Sequence, residues 1–164
     1  RSGDLTVHEI ELPERFCFCR AIEAKDGAHA ILAIGAFYDE LIRNGIPISR
    51  SWPEFCEYPD DGLLRGEFSV TDFSVIACLP VDKKNAPPEA VHYPAGGALA
   101  VNYRGGYYDL WKAYEALSRY MEQYGYVSSG HPQEIYLEIE ADGSLNLDEE
   151  RNVTRVIVPV KKNA

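Results

Sequence analysis

The stretch HPQEIYLEIE at 131–140 holds the residues of this chain best suited to chemistry. Side chains of a strand alternate between faces, so Ile135, Leu137 and Ile139 point one way and Glu134, Tyr136, Glu138 and Glu140 the other. The apolar set is expected to pack under helices. A merely wet opposite face would carry polar residues and nothing more would follow, which makes Glu134 a solvated strand carboxylate. That face also holds Tyr136, however, and nearby segments supply Tyr103 and Tyr108 around an Arg-Gly-Gly turn, Trp111, and Phe55 in the equivalent strand of the first half. A carboxylate among rings is costly to remove from water unless a cation offsets the desolvation. Each aromatic face adds about 0.5–2 kcal/mol of attraction to such a cation. The chemistry these residues imply is recognition of a flat, lipophilic cation in an aromatic-lined groove.

Other constellations carry less. Cys17, Cys19, Cys56 and Cys78 have no knuckle spacing, and the Cys-x-Cys pair falls on one face of a single strand, so free and largely buried thiols are expected. His8, His29, His92 and His131 share no metal-ligand spacing, and no metal or cofactor is expected. The short glycine clusters lack the strand-to-helix context of a phosphate loop. Sixteen Lys and Arg against 26 Asp and Glu give a formal charge of −10, which repels phosphate backbones and argues against direct nucleic-acid binding by this segment. No run approaches the roughly 18 apolar residues of a membrane span, and no secretory leader is visible, so a cytoplasmic protein without a membrane partner is expected. A first residue of Arg1 and a single methionine, Met121, read as a piece of a longer chain or one carrying a tag remnant.

The elements that must position Glu134 and the rings follow from a repeat. The endings CLPV at 78–81 and IVPV at 157–160 stand 79 positions apart, and the same offset carries Gly27 to Gly106 and Pro53 to Pro132. Between these punctuating residues the periodicities also match. Ile31, Ile34, Tyr38 and Leu41 recur at helical spacing before Gly45; Tyr107, Leu110, Tyr114, Leu117, Met121 and Tyr124 do so before Gly125. A strand precedes each helix (16–24 and 98–104), two follow it, and 5–12 and 90–96 are lead-in strands. The whole of 1–164 is read as one domain with pseudo-repeats at 5–81 and 90–160. It has an α+β fold, a tandem βαββ duplication: an antiparallel sheet with both helices on one side and a ligand groove between the halves.

The motifs that carry this pattern, the R-G-x-Y turn opening the second helix, the E-I-Y-L strand and the terminal V-P-V, resemble the GyrI-like small-molecule-binding domains. These occur as effector-binding domains of AraC-type and MerR-type transcription activators and as stand-alone proteins. The likeness extends over nearly the whole chain and implies the same tandem βαββ fold. Multidrug-sensing members bind lipophilic cations around a central glutamate, whose position matches Glu134; aromatic positions fall at Tyr103, Tyr108 and Tyr136. Trp111 and Phe55 are added from geometry alone.

The expected function is therefore binding or sensing of hydrophobic or cationic aromatic small molecules, without catalysis, in a bacterial regulator or a sequestering protein. In a regulator, a DNA-binding domain would belong to the full-length protein. The resemblance also implies two alternatives: a hydrolase of cyclopropane-containing compounds, using a carboxylate beside a phenol, and a gyrase-inhibitor-like protein acting through its acidic surface.

Overall fold

Runs rich in β-branched and aromatic residues, interrupted by Gly and Pro, form the strands of the computed structural model, which describes residues 5–137 and 152–163. In chain order the elements are β1 (His8–Leu12), β2 (Arg15–Asp26), α1 (Gly27–Arg43), β3 (Phe55–Glu57), β4 (Thr71–Val81), β5 (Val91–Tyr93), β6 (Gly96–Arg104), α2 (Trp111–Tyr124), β7 (Tyr126–Ser128), β8 (Gln133–Tyr136) and β9 (Val153–Lys162). The strands build one open antiparallel sheet in the order β1-β6-β9-β8-β3-β4-β2-β5, with β7 pairing β9 off that path. None of the described helices is long and apolar enough to cross a membrane.

The pairing repeats from one half to the other. β4 lies between β2 and β3, and β9 lies between β6 and β8. The lead-in strands are exchanged: β1 pairs with β6 of the second half, and β5 with β2 of the first. The halves meet along the β3/β8 ladder, where Cys56 stands opposite Glu134.

Both helices cover the same face of the sheet. Asp26 caps α1 by accepting from the backbone N–H of His29 at 2.8 Å. Gly125 ends α2 in the left-handed conformation at φ 74°, which a residue with a Cβ adopts only with strain. α1 buries Phe37 and Leu41 against Ile22, Val75 and Leu79. α2 buries Ala113, Tyr114 and Leu117 against Leu99, Val101 and Val158.

A third buried cluster, including Leu12, Cys17, Phe55, Cys78 and Ile135, fills the opposite face. Its members come from strands far apart in the sheet order, so the sheet curls around them. Arg15 spans this face, donating through Nη1 to Gln133 Oε1 at 2.9 Å, with its guanidinium 5.0 Å from the centre of the Phe55 ring. This curl overturns one expectation. Ile135 packs on the helix-free face, and Glu134 and Tyr136 are the residues under the helices. Alternation assigns residues to two faces but cannot say which face meets the helices when both are buried. Leu137 is 44% exposed, and Glu138, Ile139 and Glu140, with 141–151 of the acidic loop, lie outside the described residues.

Candidate ligand site

Glu134 is 4% exposed, and among the described residues its carboxylate is held by phenols. Tyr114 Oη on α2 donates to Oε2 at 2.5 Å, and Tyr136 Oη, two residues along the same strand face, donates to Oε1 at 2.7 Å. Since the Tyr136 proton is committed to Glu134, Tyr58 Oη at 2.8 Å donates to the Tyr136 oxygen, extending the network into the β3–β4 connection. Burial pushes the Glu134 carboxyl above its ordinary range, and the hydrogen bonds from Tyr114 and Tyr136, with Tyr58 acting behind Tyr136, pull it back only in part. Burial, followed by the nearby Glu134 charge, raises all three phenols well above their usual values, so they stay protonated donors.

This carboxylate forms part of the wall of a cavity of about 580 Å³ between α1 and the segment that leads into α2, within the size range of small-molecule sites. Ile31, Ile34 and Tyr38 of α1 form one wall; Tyr107, Tyr108 and Leu110, which lead into α2, form another. Leu63 and Phe68, between β3 and β4, complete it. The Tyr107 and Tyr136 rings meet edge to face at 5.6 Å. Among the described lining residues there is no Lys, Arg or His, while Glu54, Asp60, Glu67 and Asp72 join Glu134. Asp60 is committed to capping the turn at Gly62, and Glu67 pairs with Arg65 at the surface.

A model of the GyrI-like small molecule binding domain matches residues 33–161. The chain belongs to that family. Among curated proteins, none matches the sequence. Solved structures similar to this GyrI-like chain include the EcmrR C-terminal domain, at TM-score 0.76 and 22% identity over 96% of this chain and 98% of that one. EcmrR in its DNA complex matches at TM-score 0.76 and 23% identity over 96% of this chain, which spans 58% of that longer one. SAV2435 bound to tetraphenylphosphonium matches at TM-score 0.52 and 13% identity, over 95% and 94% of the two chains. A hydrolase from Listeria innocua matches at TM-score 0.59 and 13% identity, over 94% and 91%. At these identities the likeness is one of fold.

Of the residues singled out in this GyrI-like sequence, the structure brings Glu134, Tyr136 and Tyr108 together at the cavity, Tyr108 at a 52% exposed position. Tyr103 is elsewhere: it is 4% exposed and packs in the cluster beneath α2 with Leu99 and Leu110. Trp111, at the start of α2, is 42% exposed and does not line the cavity. Phe55 borders the cavity through its backbone, whose carbonyl accepts from Tyr38 Oη at 3.3 Å, but its ring turns to the helix-free face and meets Tyr93 at 5.3 Å. The 79-residue offset makes Phe55 the counterpart of Glu134. The ladder instead sets Cys56 opposite Glu134, and a shift of one residue moves every side chain to the other face.

Sequence reasoning missed Tyr58, Tyr107 and Tyr114 as site residues. Tyr107 and Tyr114 stood on the helical stripe, which a core and a ligand wall share. Tyr58 carries no local signal: it lies two residues beyond Cys56, and only the β3/β8 ladder sets that face against Glu134.

Proposed function

We propose that this GyrI-like domain binds lipophilic, aryl-bearing cations, with Glu134 as counter-charge and Tyr107, Tyr108 and Tyr136 as the aromatic wall. The observation that carries this reading is a buried carboxylate whose protein partners are neutral phenols, in a cavity whose described lining contains no cationic side chain. Such a carboxylate has its desolvation only partly offset by hydrogen bonds, and a ligand bringing positive charge supplies the missing partner. Apolar walls take up the rest of the ligand and exclude water, which strengthens the pairing. Tetraphenylphosphonium, the ligand of the similarly folded SAV2435, has the required chemistry and serves as a probe.

The fold shared with the C-terminal domain of EcmrR supports placing this activity in a transcription regulator, as the domain that senses the effector. Occupancy then acts by favouring one conformation of the whole protein; a tenfold preference between two states supplies about 1.4 kcal/mol.

A thermal-shift series on the full chain tests the reading. Tetraphenylphosphonium should raise the melting temperature in a concentration-dependent way, as for any ligand that binds only the folded state, and should do so more than neutral triphenylphosphine oxide. An anionic aryl sulfonate should leave it unchanged. Equal stabilisation by the cation and the anion would remove the charge argument.

A further inference from the structure

On the helix-free face, away from the ligand cavity, two cysteines stand directly opposite each other in neighbouring strands. Cys19 of β2 and Cys78 of β4 are register partners, and their Sγ atoms are 3.5 Å apart. Two residues along the same ladder Cys17 faces Pro80, which has no N–H to give, so this parity of the β2/β4 ladder is its non-hydrogen-bonded one. The Cys78 carbonyl agrees, being turned away from β2 to accept from Tyr38 Oη at 3.3 Å. Non-hydrogen-bonded partners have Cα atoms about 4.5 Å apart, inside the roughly 4.4–6.8 Å span that a disulfide bridges.

The surroundings give the two thiols different roles. Cys19 is partly exposed, whereas Cys78 is buried. Tyr93 Oη lies 3.3 Å from Cys78 Sγ and 3.8 Å from Cys19 Sγ, and donates to Glu57 Oε1 at 2.7 Å. With its proton given to Glu57, the Tyr93 oxygen is free to accept from a thiol. Hydrogen bonding with Cys78 is the largest influence on Cys19 and holds its thiol below the ordinary range against the effect of burial. The other cysteines have no such arrangement. Cys17 faces Pro80, and burial pushes its thiol up to about 12; Cys56 points to the opposite face of the sheet.

We propose that Cys19 and Cys78 form a hydroperoxide-reactive dithiol that closes to a reversible disulfide. The Cys19 thiolate attacks one oxygen of a hydroperoxide, the O–O bond breaks, sulfur is oxidised to a sulfenic acid and the peroxide is reduced to an alcohol or water. The Cys78 sulfur then attacks the Cys19 sulfur, and the S–S bond forms as the sulfenic hydroxyl departs as water with the proton Cys78 releases through Tyr93. A small dithiol reductant returns both thiols by exchange. The sulfurs must approach by about 1.5 Å, a movement that side-chain rotation supplies.

The test treats the full chain with hydrogen peroxide, blocks remaining thiols by alkylation and maps peptides by mass spectrometry without reduction. The expected product is a Cys19–Cys78 cross-linked peptide lacking two hydrogens, restored to free thiols by dithiothreitol. Cys78→Ser should stop at a Cys19 sulfenic acid that dimedone traps, and Tyr93→Phe should slow cross-linking severalfold. The mapping on the unmodified protein stands whether or not those variants fold. A wild-type product with Cys19 carried to sulfinic acid and Cys78 unmodified, a disulfide that includes Cys17 or Cys56, or thiols left intact at peroxide levels that oxidise free cysteine would each overturn the proposal.

Discussion

Tyr114 Oη on α2 and Glu134 Oε2 on β8 lie 2.5 Å apart, so the second helix and the seam of the sheet are joined at a buried carboxylate. Removing that hydroxyl leaves the ring but takes one donor from the charged form. In Tyr114→Phe the Glu134 carboxyl, already raised by burial, should therefore move further up. Under the proposed function an aryl cation competes with the proton on Glu134, so affinity should fall as pH drops through the carboxyl's folded-state value, and the variant should show that fall at higher pH. Titrations across pH check this; coincident profiles for variant and wild type would contradict it.

Glu134→Gln should stabilise the ligand-free protein. The folded-state value of Glu134 is raised, so between the ordinary carboxylate range and that raised value the native state holds more protons than the unfolded one, and stability falls as pH rises. The glutamine variant lacks this penalty. Its advantage should be largest at mildly alkaline pH and vanish in acid, each kcal/mol appearing as about 2–4 °C in melting temperature for a chain of this size. Melting curves at several pH values decide the matter.

Gly105→Ala should destabilise the fold. Gly105 has φ +149°, and an added Cβ would sit 2.9 Å from Tyr103 Cε2 and 3.0 Å from its hydroxyl. Tyr103 is buried among Leu99, Val101 and Tyr114 and cannot easily yield. A cost of roughly 1–3 kcal/mol, from strain alone, is expected in chemical denaturation.

Trp111→Ala should leave cation affinity within about twofold, because a half-exposed ring outside the cavity supplies no cation–π energy. Tyr107→Ala, by contrast, removes a ring that meets Tyr136 at 5.6 Å and should weaken binding by between about 2.3-fold and thirtyfold, corresponding to the roughly 0.5–2 kcal/mol of one aromatic face. Calorimetry on both variants separates them; a larger loss at Trp111 would move the site.

Much of this was legible in the sequence because it rests on local signals. Gly125 marked the end of α2, the first Pro-Val marked the end of β4 while β9 runs two residues past the second, to Lys162, and alternation placed Glu134 and Tyr136 on a shared face. The remainder depends on long-range register. The Phe55 ring lies on the helix-free face, one residue out of step at the seam, where only the β3/β8 pairing reveals that Cys56 and Tyr58 share the Glu134 face. Tyr103 and Tyr108 flank one turn, yet the structure buries the first and opens the second to the cavity, a difference set by packing beneath α2. The curl that buries Ile135 away from the helices joins strands too distant in sequence for any local pattern to reveal.

The central claim is that the buried charge of Glu134 selects the ligand, and calorimetric titration of wild type and Glu134→Gln at mildly alkaline pH tests it most directly. With tetraphenylphosphonium the variant should lose tenfold or more in affinity, about 1.4 kcal/mol, while binding of neutral triphenylphosphine oxide changes by less than about threefold. An equal loss for the cation and the neutral compound, or no loss for either, would contradict the account.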